Sequence, residues 1–138
     1  GVLCYQRQKT KKFRRDGAYL EVKIPDRLIP LFNKYKDDEG SEYLLNFNKR
    51  YQDSNCFNIN VNHGLKAYCE YNGLPRMCIY NFRHSWATIA QNYCGATTAE
   101  VGFALNHSSA HKVTEGYIQK DYSPISILNE KVIRFLLE

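Results

Sequence analysis

Arg83, His107 and Tyr117 follow one another along the second half of the chain, and together their groups could bind an anion and attack it. Arg83 lies in Tyr80-Asn81-Phe82-Arg83-His84-Ser85-Trp86-Ala87-Thr88. Its guanidinium is a rigid fork of donors that suits the oxygens of a phosphate, or it is a stem that snorkels along the edge of a core to reach water. His107 stands in Leu105-Asn106-His107-Ser108-Ser109 at the end of a short helix, a place where a histidine commonly caps free carbonyls. Tyr117, in Thr114-Glu115-Gly116-Tyr117, is surrounded by Val113, Thr114 and Ile118, so by itself it also reads as a core aromatic with a bonded hydroxyl. A phenol with an ordinary pKa of about 10 is a poor nucleophile until it is set against a phosphate clamped by cations.

The elements that must hold these groups follow from periodicity. From Ile79 onward, Ile79, Phe82, Trp86, Ile89 and Tyr93 recur at helical spacing as one apolar stripe, and Gly95 stops the helix. At about 100° per residue, Arg83 falls roughly 40° to one side of Ile79, on the border of that stripe. Thr97-Thr98-Ala99-Glu100 is a helix start with a threonine cap and an acidic first turn; Val101, Ala104 and Leu105 continue it, and Asn106 breaks it. Ser108 and Ser109 can cap a following helix over residues 110–120, which carries Tyr117. At the amino end, residues 3–8 and 18–24 have strand character with Asp16-Gly17 as the turn between them, and Pro25 closes the second strand. Asp26 can cap a helix bearing Leu28, Ile29, Leu31 and Phe32.

The order and surroundings of these residues resemble the tyrosine recombinases, the phage integrase family. Arg83-His84-Ser85-Trp86-Ala87-Thr88 is similar to that family's Arg-His-Thr-Phe-Ala-Thr run, and Arg83, His107 and Tyr117 match its order. The resemblance extends over nearly the whole chain. It implies a mainly α fold with a small amino-terminal antiparallel β-hairpin, and site-specific DNA recombination by strand cleavage and rejoining through a 3′-phosphotyrosine. Tyr117 is then the nucleophile, Arg83 and His107 bind the scissile phosphate, and no metal or nucleotide cofactor is required. The family's hairpin carries a catalytic lysine in a Lys-Thr pair, which Lys9-Thr10 matches, with Lys11 and Lys12 as adjacent competitors. Lys9, Lys11, Lys12, Arg14 and Arg15 also read as a merely solvated basic loop. Arg7, Lys11, Lys12, Arg14 and Arg15 are the expected contacts to duplex DNA, on the ground that the loop offers them no acidic partner before Asp16.

Two departures stand out. Three positions before the helical arginine the family usually has histidine or lysine, where this chain has Tyr80, able to donate to a phosphate oxygen but not to supply a charge. The family's first arginine precedes the lysine hairpin, whereas here Lys9 is already the ninth residue. The resemblance therefore implies a chain that starts inside the catalytic domain and cleaves little on its own.

Composition fits this picture. The 138 residues, 43% hydrophobic, suffice for a single domain, with a hairpin over 1–24, a helical core over 25–122 and a tail helix over 123–138. A net charge of +5, concentrated between Arg7 and Arg15 and at Lys49-Arg50, favours an anionic partner. There is no signal peptide and no long apolar run, so a soluble intracellular protein without a membrane is expected, and the resemblance implies a cytoplasmic one, in the bacterial cytosol or nucleoid. The cysteines Cys4, Cys56, Cys69, Cys78 and Cys94 are odd in number and form no metal-type pair, which suggests reduced thiols. His107 and His111 have zinc-like spacing but no third ligand nearby.

In the middle of the chain, Asp37-Asp38-Glu39-Gly40 is a polar break, Tyr43-Leu44-Leu45 a short apolar piece and Phe47 to Tyr51 a loop entry. Ser54-Asn55 can cap a long helix whose face is Phe57, Val61, Leu65, Tyr68 and Cys69, ending near Gly73. Ser123-Pro124 starts a last apolar helix, which packs on its own domain or, as in the family, on a neighbouring subunit assembled on DNA. Two other readings remain: a non-catalytic relative that only binds DNA, and a helical protein-interaction domain.

Overall fold

The computed structural model describes residues 1–7, 11–12, 14, 16–37, 43–107 and 121–138. Among these the protein is mainly helical, with a two-stranded antiparallel sheet: β1 (Val2–Gln6), β2 (Tyr19–Lys23), α1 (Ile29–Tyr35), α2 (Ser54–Tyr71), α3 (Ile79–Asn92), α4 (Thr98–Ala104) and α5 (Ser123–Leu137). The chain divides into two compact units, one made of Gly1–Leu28 with Ala87–Glu138 and the other of Ile29–Trp86.

In the first unit, β1 and β2 pair in a register that sets Tyr5 opposite Leu20 and Val2 opposite Lys23. Each strand is slightly shorter than its apolar run. The turn into β2 is left-handed at two successive residues, Gly17 (φ 61) and Ala18 (φ 53). A Cβ at Gly17 would lie 2.8 Å from the Gln6 side-chain nitrogen, the end of a flexible exposed side chain that can move aside, so it is the left-handed φ that favours glycine here. Ala18 has no such dispensation; L-residues resist this conformation by about 1–2 kcal/mol, and here Asp16 Oδ1 holds the Ala18 N–H at 3.0 Å.

A two-stranded ribbon is marginal in water unless a helix covers it. Here α5 packs on β2 and on α4, burying Ile125, Leu128 and Val132 alongside Leu20 and Val101. Ser126 Oγ accepts the Lys23 N–H at 3.0 Å, Tyr122 donates its hydroxyl to the Tyr19 carbonyl at 3.2 Å, and the Tyr122 ring stacks on Phe103 at 6.0 Å. Of the two placements open to the last helix, packing on its own unit is the one observed for Ile125, Leu128 and Val132. Asp121 accepts the Ser123 N–H at 2.8 Å and Pro124 sits in the first turn, so α5 starts where Ser123-Pro124 signals it. At α4 the predicted capping box is formed: the Glu100 carboxylate accepts the Thr97 N–H at 2.7 Å while Thr97 Oγ1 accepts the Glu100 N–H at 3.2 Å.

In the second unit, the helix stop near Gly73 is a full C-terminal motif: Gly73 is left-handed (φ 62), and the Leu74 N–H reaches the Cys69 carbonyl at 2.8 Å. Three expectations are corrected here. The cap of α2 is Asp53, which accepts the Cys56 N–H at 2.7 Å, in place of Ser54-Asn55. A carboxylate one residue earlier reaches the orphan donors, so Ser54 is already helical. Tyr68 points to solvent, because the covered face of α2 centres on Phe57, Val61, Leu65 and Cys69. The loop entry at Phe47 is a 3-10 helix, Asn46–Arg50, organised by aromatic contacts of Phe47 with Tyr35 (6.0 Å) and Phe57 (6.1 Å).

Two measurements follow. Leu128→Ala should cost about 2–5 kcal/mol in urea denaturation, against about 0.5 or less for the exposed Leu137→Ala. The Thr97 hydrogen bonds hold the Glu100 carboxyl below its ordinary value of 4.5. A lowered folded pKa stabilises above the unfolded value, and that contribution fades as pH falls through the folded one. Glu100→Gln should therefore lower stability at neutral pH, and its difference from the unaltered protein should shrink below pH 4.5.

Candidate active site

Arg83 and Tyr80 lie on the first turns of α3, within the Ile29–Trp86 unit. The helix begins where the Ile79 N–H donates to Asn62 Oδ1 of α2 at 2.8 Å and the Cys78 N–H to Asn81 Oδ1 at 2.7 Å. Its covered stripe keeps Ile79, Trp86 and Ile89 of the predicted apolar positions but not Phe82 or Tyr93. Phe82 and Tyr93 are 53% and 65% exposed, whereas Ala90 is fully buried and Arg83, Trp86 and Ala87 are half-buried. Ile79, Arg83, Trp86, Ala87, Ile89 and Ala90 thus form the shielded side, which moves Arg83 from its border to its interior. Tyr93 lies just past the end of α3 and stacks on Phe135 at 4.8 Å within the other unit. Tyr80 is exposed, its ring edge-on to His84 at 4.7 Å.

His107 belongs to the other unit, and the structure builds its position in detail. Asn106 is left-handed (φ 53), and the last turn of α4 closes with the Asn106 N–H on the Phe103 carbonyl and the His107 N–H on the Gly102 carbonyl, both 2.9 Å. This pair of bonds is the usual end of a helix whose residue after the cap is left-handed, a place that glycine takes most often and asparagine second. The asparagine side chain is 96% shielded by the fold, since the residue is only 4% exposed. Its Nδ2 donates to the Ala18 carbonyl at 2.8 Å, and its Oδ1 accepts from Arg14 Nη1. Its backbone carbonyl accepts from Arg7 Nη1 at 3.1 Å and Arg14 Nη1 at 3.5 Å. Arg14 is in turn forked onto Asp16, Nε to Oδ1 at 3.0 Å and Nη2 to Oδ2 at 2.6 Å.

These contacts correct the expectation that the hairpin arginines lack acidic or internal partners. The Arg14 side chain is 16% exposed and committed to Asp16 and Asn106, and Arg7 reaches the same asparagine. Lys11, Lys12 and, at the end of β2, Lys23 are the exposed hairpin cations among the described residues. Lys49, the other predicted concentration of positive charge, pairs at 2.9 Å with the buried carboxylate of Asp37. Neither this network nor the role of Asn106 was visible in the sequence, where Asn106 reads only as a helix breaker. Its tolerance of a left-handed backbone was the available signal.

Tyr117, Lys9, Arg15 and His111 lie outside the described residues, as does the helix expected over 110–120. Tyr122, the nearest described tyrosine along the chain, donates to the Tyr19 carbonyl, and burial pushes its hydroxyl above the ordinary phenol value. That hydroxyl is a packing group, poorly suited to attack. The five cysteines carry free thiols. No helix among the described residues is long and apolar enough to cross a membrane.

No family model, no curated protein and no solved structure matches this chain.

Because Asn106 combines a left-handed backbone with a buried side chain, its replacements should separate the two contributions. Asn106→Gly keeps the conformation and loses the side-chain bonds; Asn106→Ala loses both. In denaturant titration Asn106→Ala should be the less stable of the two by about 1 kcal/mol, and equal stabilities would argue against the left-handed step.

Proposed function

We propose that this chain acts on duplex DNA as the catalytic portion of a tyrosine recombinase, cutting and rejoining strands through a 3′-phosphotyrosine. The reading rests on the order Arg83, His107, Tyr117 within segments similar to the family's, above all Arg83-His84-Ser85-Trp86-Ala87-Thr88. Two features of the fold support it. Arg83 sits in the shielded stripe of a helix, so packing can hold its guanidinium, and His107 follows a helix end whose last peptide is bonded on both sides.

The chemistry assigns each group a task. A phosphodiester resists attack because its oxygens repel a nucleophile, so Arg83 and His107, with Tyr80 as a neutral donor, take up the charge on the non-bridging oxygens. The Tyr117 oxygen bonds to phosphorus and the bond to the 5′ oxygen breaks. Lys9 supplies the proton that the departing oxygen needs, the proton of the attacking tyrosine passes to solvent water, and Lys9 regains one from solvent, so the proton count is unchanged. Attack by another 5′ hydroxyl reverses these steps and reseals the strand. Bond energy is kept in the phosphotyrosine, so the sequence of steps calls for no external energy source.

The test is covalent capture on a pool of nicked duplexes of randomised sequence, a substrate that accumulates even slow cleavage. A denaturation-resistant complex should form on the DNA 3′ side, and Tyr117→Phe should abolish it while duplex binding is retained. A complex that persists in that variant, or that maps to Tyr122, would overturn the assignment. A protein that only binds DNA would form none.

A further inference from the structure

We propose that Arg7, Arg14 and Asn106 are positioning residues for His107, gripping the peptide that carries it from the hairpin side, so that the two arginines serve the site without touching DNA. The proposal rests on the recombinase reading of His107. Its basis is the peptide between Asn106 and His107, both of whose polar ends are bonded. The carbonyl accepts from Arg7 and Arg14 at 3.1 and 3.5 Å, and the N–H donates to Gly102 at 2.9 Å. That peptide fixes the nitrogen and Cα from which the His107 side chain departs, and rotating it would break bonds on both sides.

A helix end needs none of this for its own sake. Glycine in place of Asn106 would close the same turn, with no guanidinium required. Instead the asparagine side chain is buried and bridges two elements, donating to the Ala18 carbonyl and accepting from Arg14, while Asp16 locks the Arg14 fork in plane. Arg7 leaves the end of β1; Arg14, Asp16 and Ala18 lead into β2. The grip therefore ties both legs of the hairpin to the residue before His107, and a shift of the hairpin is transmitted to the histidine. Ala18 itself stays left-handed because its N–H is held by Asp16 and its carbonyl receives both Asn106 Nδ2 and the Arg7 N–H, the latter at 3.1 Å. A lysine could replace the charge of either arginine, but not the fork that meets Asp16 and Asn106 together.

Three readouts on the whole chain distinguish positioning from phosphate contact: the rate of covalent complex formation on the nicked duplexes, the salt dependence of duplex binding, and the imidazole resonances of His107, assigned by their loss in His107→Gln. Arg14→Gln, Arg14→Lys and Asn106→Gly should each slow capture by about 10²-fold, as small misplacements of a reacting group do. They should move the His107 resonances and leave the slope of log K against log salt unchanged. A direct phosphate contact would instead lower the slope by about 0.9 in Arg14→Gln, preserve it in Arg14→Lys, and leave His107 unmoved; that pattern overturns the proposal. Should Arg14→Gln fail to fold, Asn106→Gly, which retains the left-handed turn, decides by the same readouts. Absence of a covalent complex from the unaltered protein would count against the recombinase reading alone; the His107 resonances still judge the grip, supporting it if they move in folded variants and refuting it if they do not.

Discussion

The buried side chain of Asn106 is the interaction on which the first unit turns. A left-handed residue there ends α4, and the same residue's amide reaches back to the turn that starts β2. The hairpin would be weak by itself, and α4 is a short helix of seven residues with little stability of its own. Each becomes a defined element because one buried amide satisfies both, and because a buried amide left without partners would be costly. The strands, the end of α4 and the covering helix α5 are thus consequences of a single set of hydrogen bonds joined to one apolar layer of Leu20, Val101, Leu128 and Val132.

That constraint also redistributes charge. The hairpin reads as a solvated basic loop, yet Arg14 is spent on Asp16 and Asn106 and Arg7 on the Asn106 carbonyl. What remains outward among the described hairpin cations is Lys11, Lys12 and Lys23. In the other unit Lys49 is matched to the shielded carboxylate of Asp37. A net charge of +5 therefore overstates the outward-facing positive surface of these segments, and any affinity for an anionic polymer draws on fewer side chains than the composition suggests.

Much of the local structure was legible along the chain. Thr97 with Glu100, Ser123 with Pro124, and the stops at Gly73 and Gly95 all occur where their chemistry places them, because a cap or a left-handed glycine acts on its immediate neighbours. The phase of α3 was misread for the opposite reason. Weighting residues by size put Phe82 and Tyr93 on the covered side, while the fold shields Ala87 and Ala90. The cap of α2 moved from Ser54 to Asp53, since neighbouring polar residues compete for the same orphan donors and the backbone angle at the helix entry decides between them.

By itself, then, the sequence determined most of the described elements, the caps and stops at Thr97, Ser123, Gly73 and Gly95, and the order of Arg83, His107 and Tyr117 that suggests phosphate chemistry, all of which are read along the chain itself. Only the tertiary structure decided which face of α3 is shielded, where the last helix packs, and that Arg7 and Arg14 turn inward onto Asn106. Those outcomes depend on contacts across some ninety or a hundred positions, such as Arg14 with Asn106 and Lys23 with Ser126. No local propensity encodes such a pair: a guanidinium binds a carbonyl as readily as a phosphate, and the partner it meets is set by how the chain closes on itself.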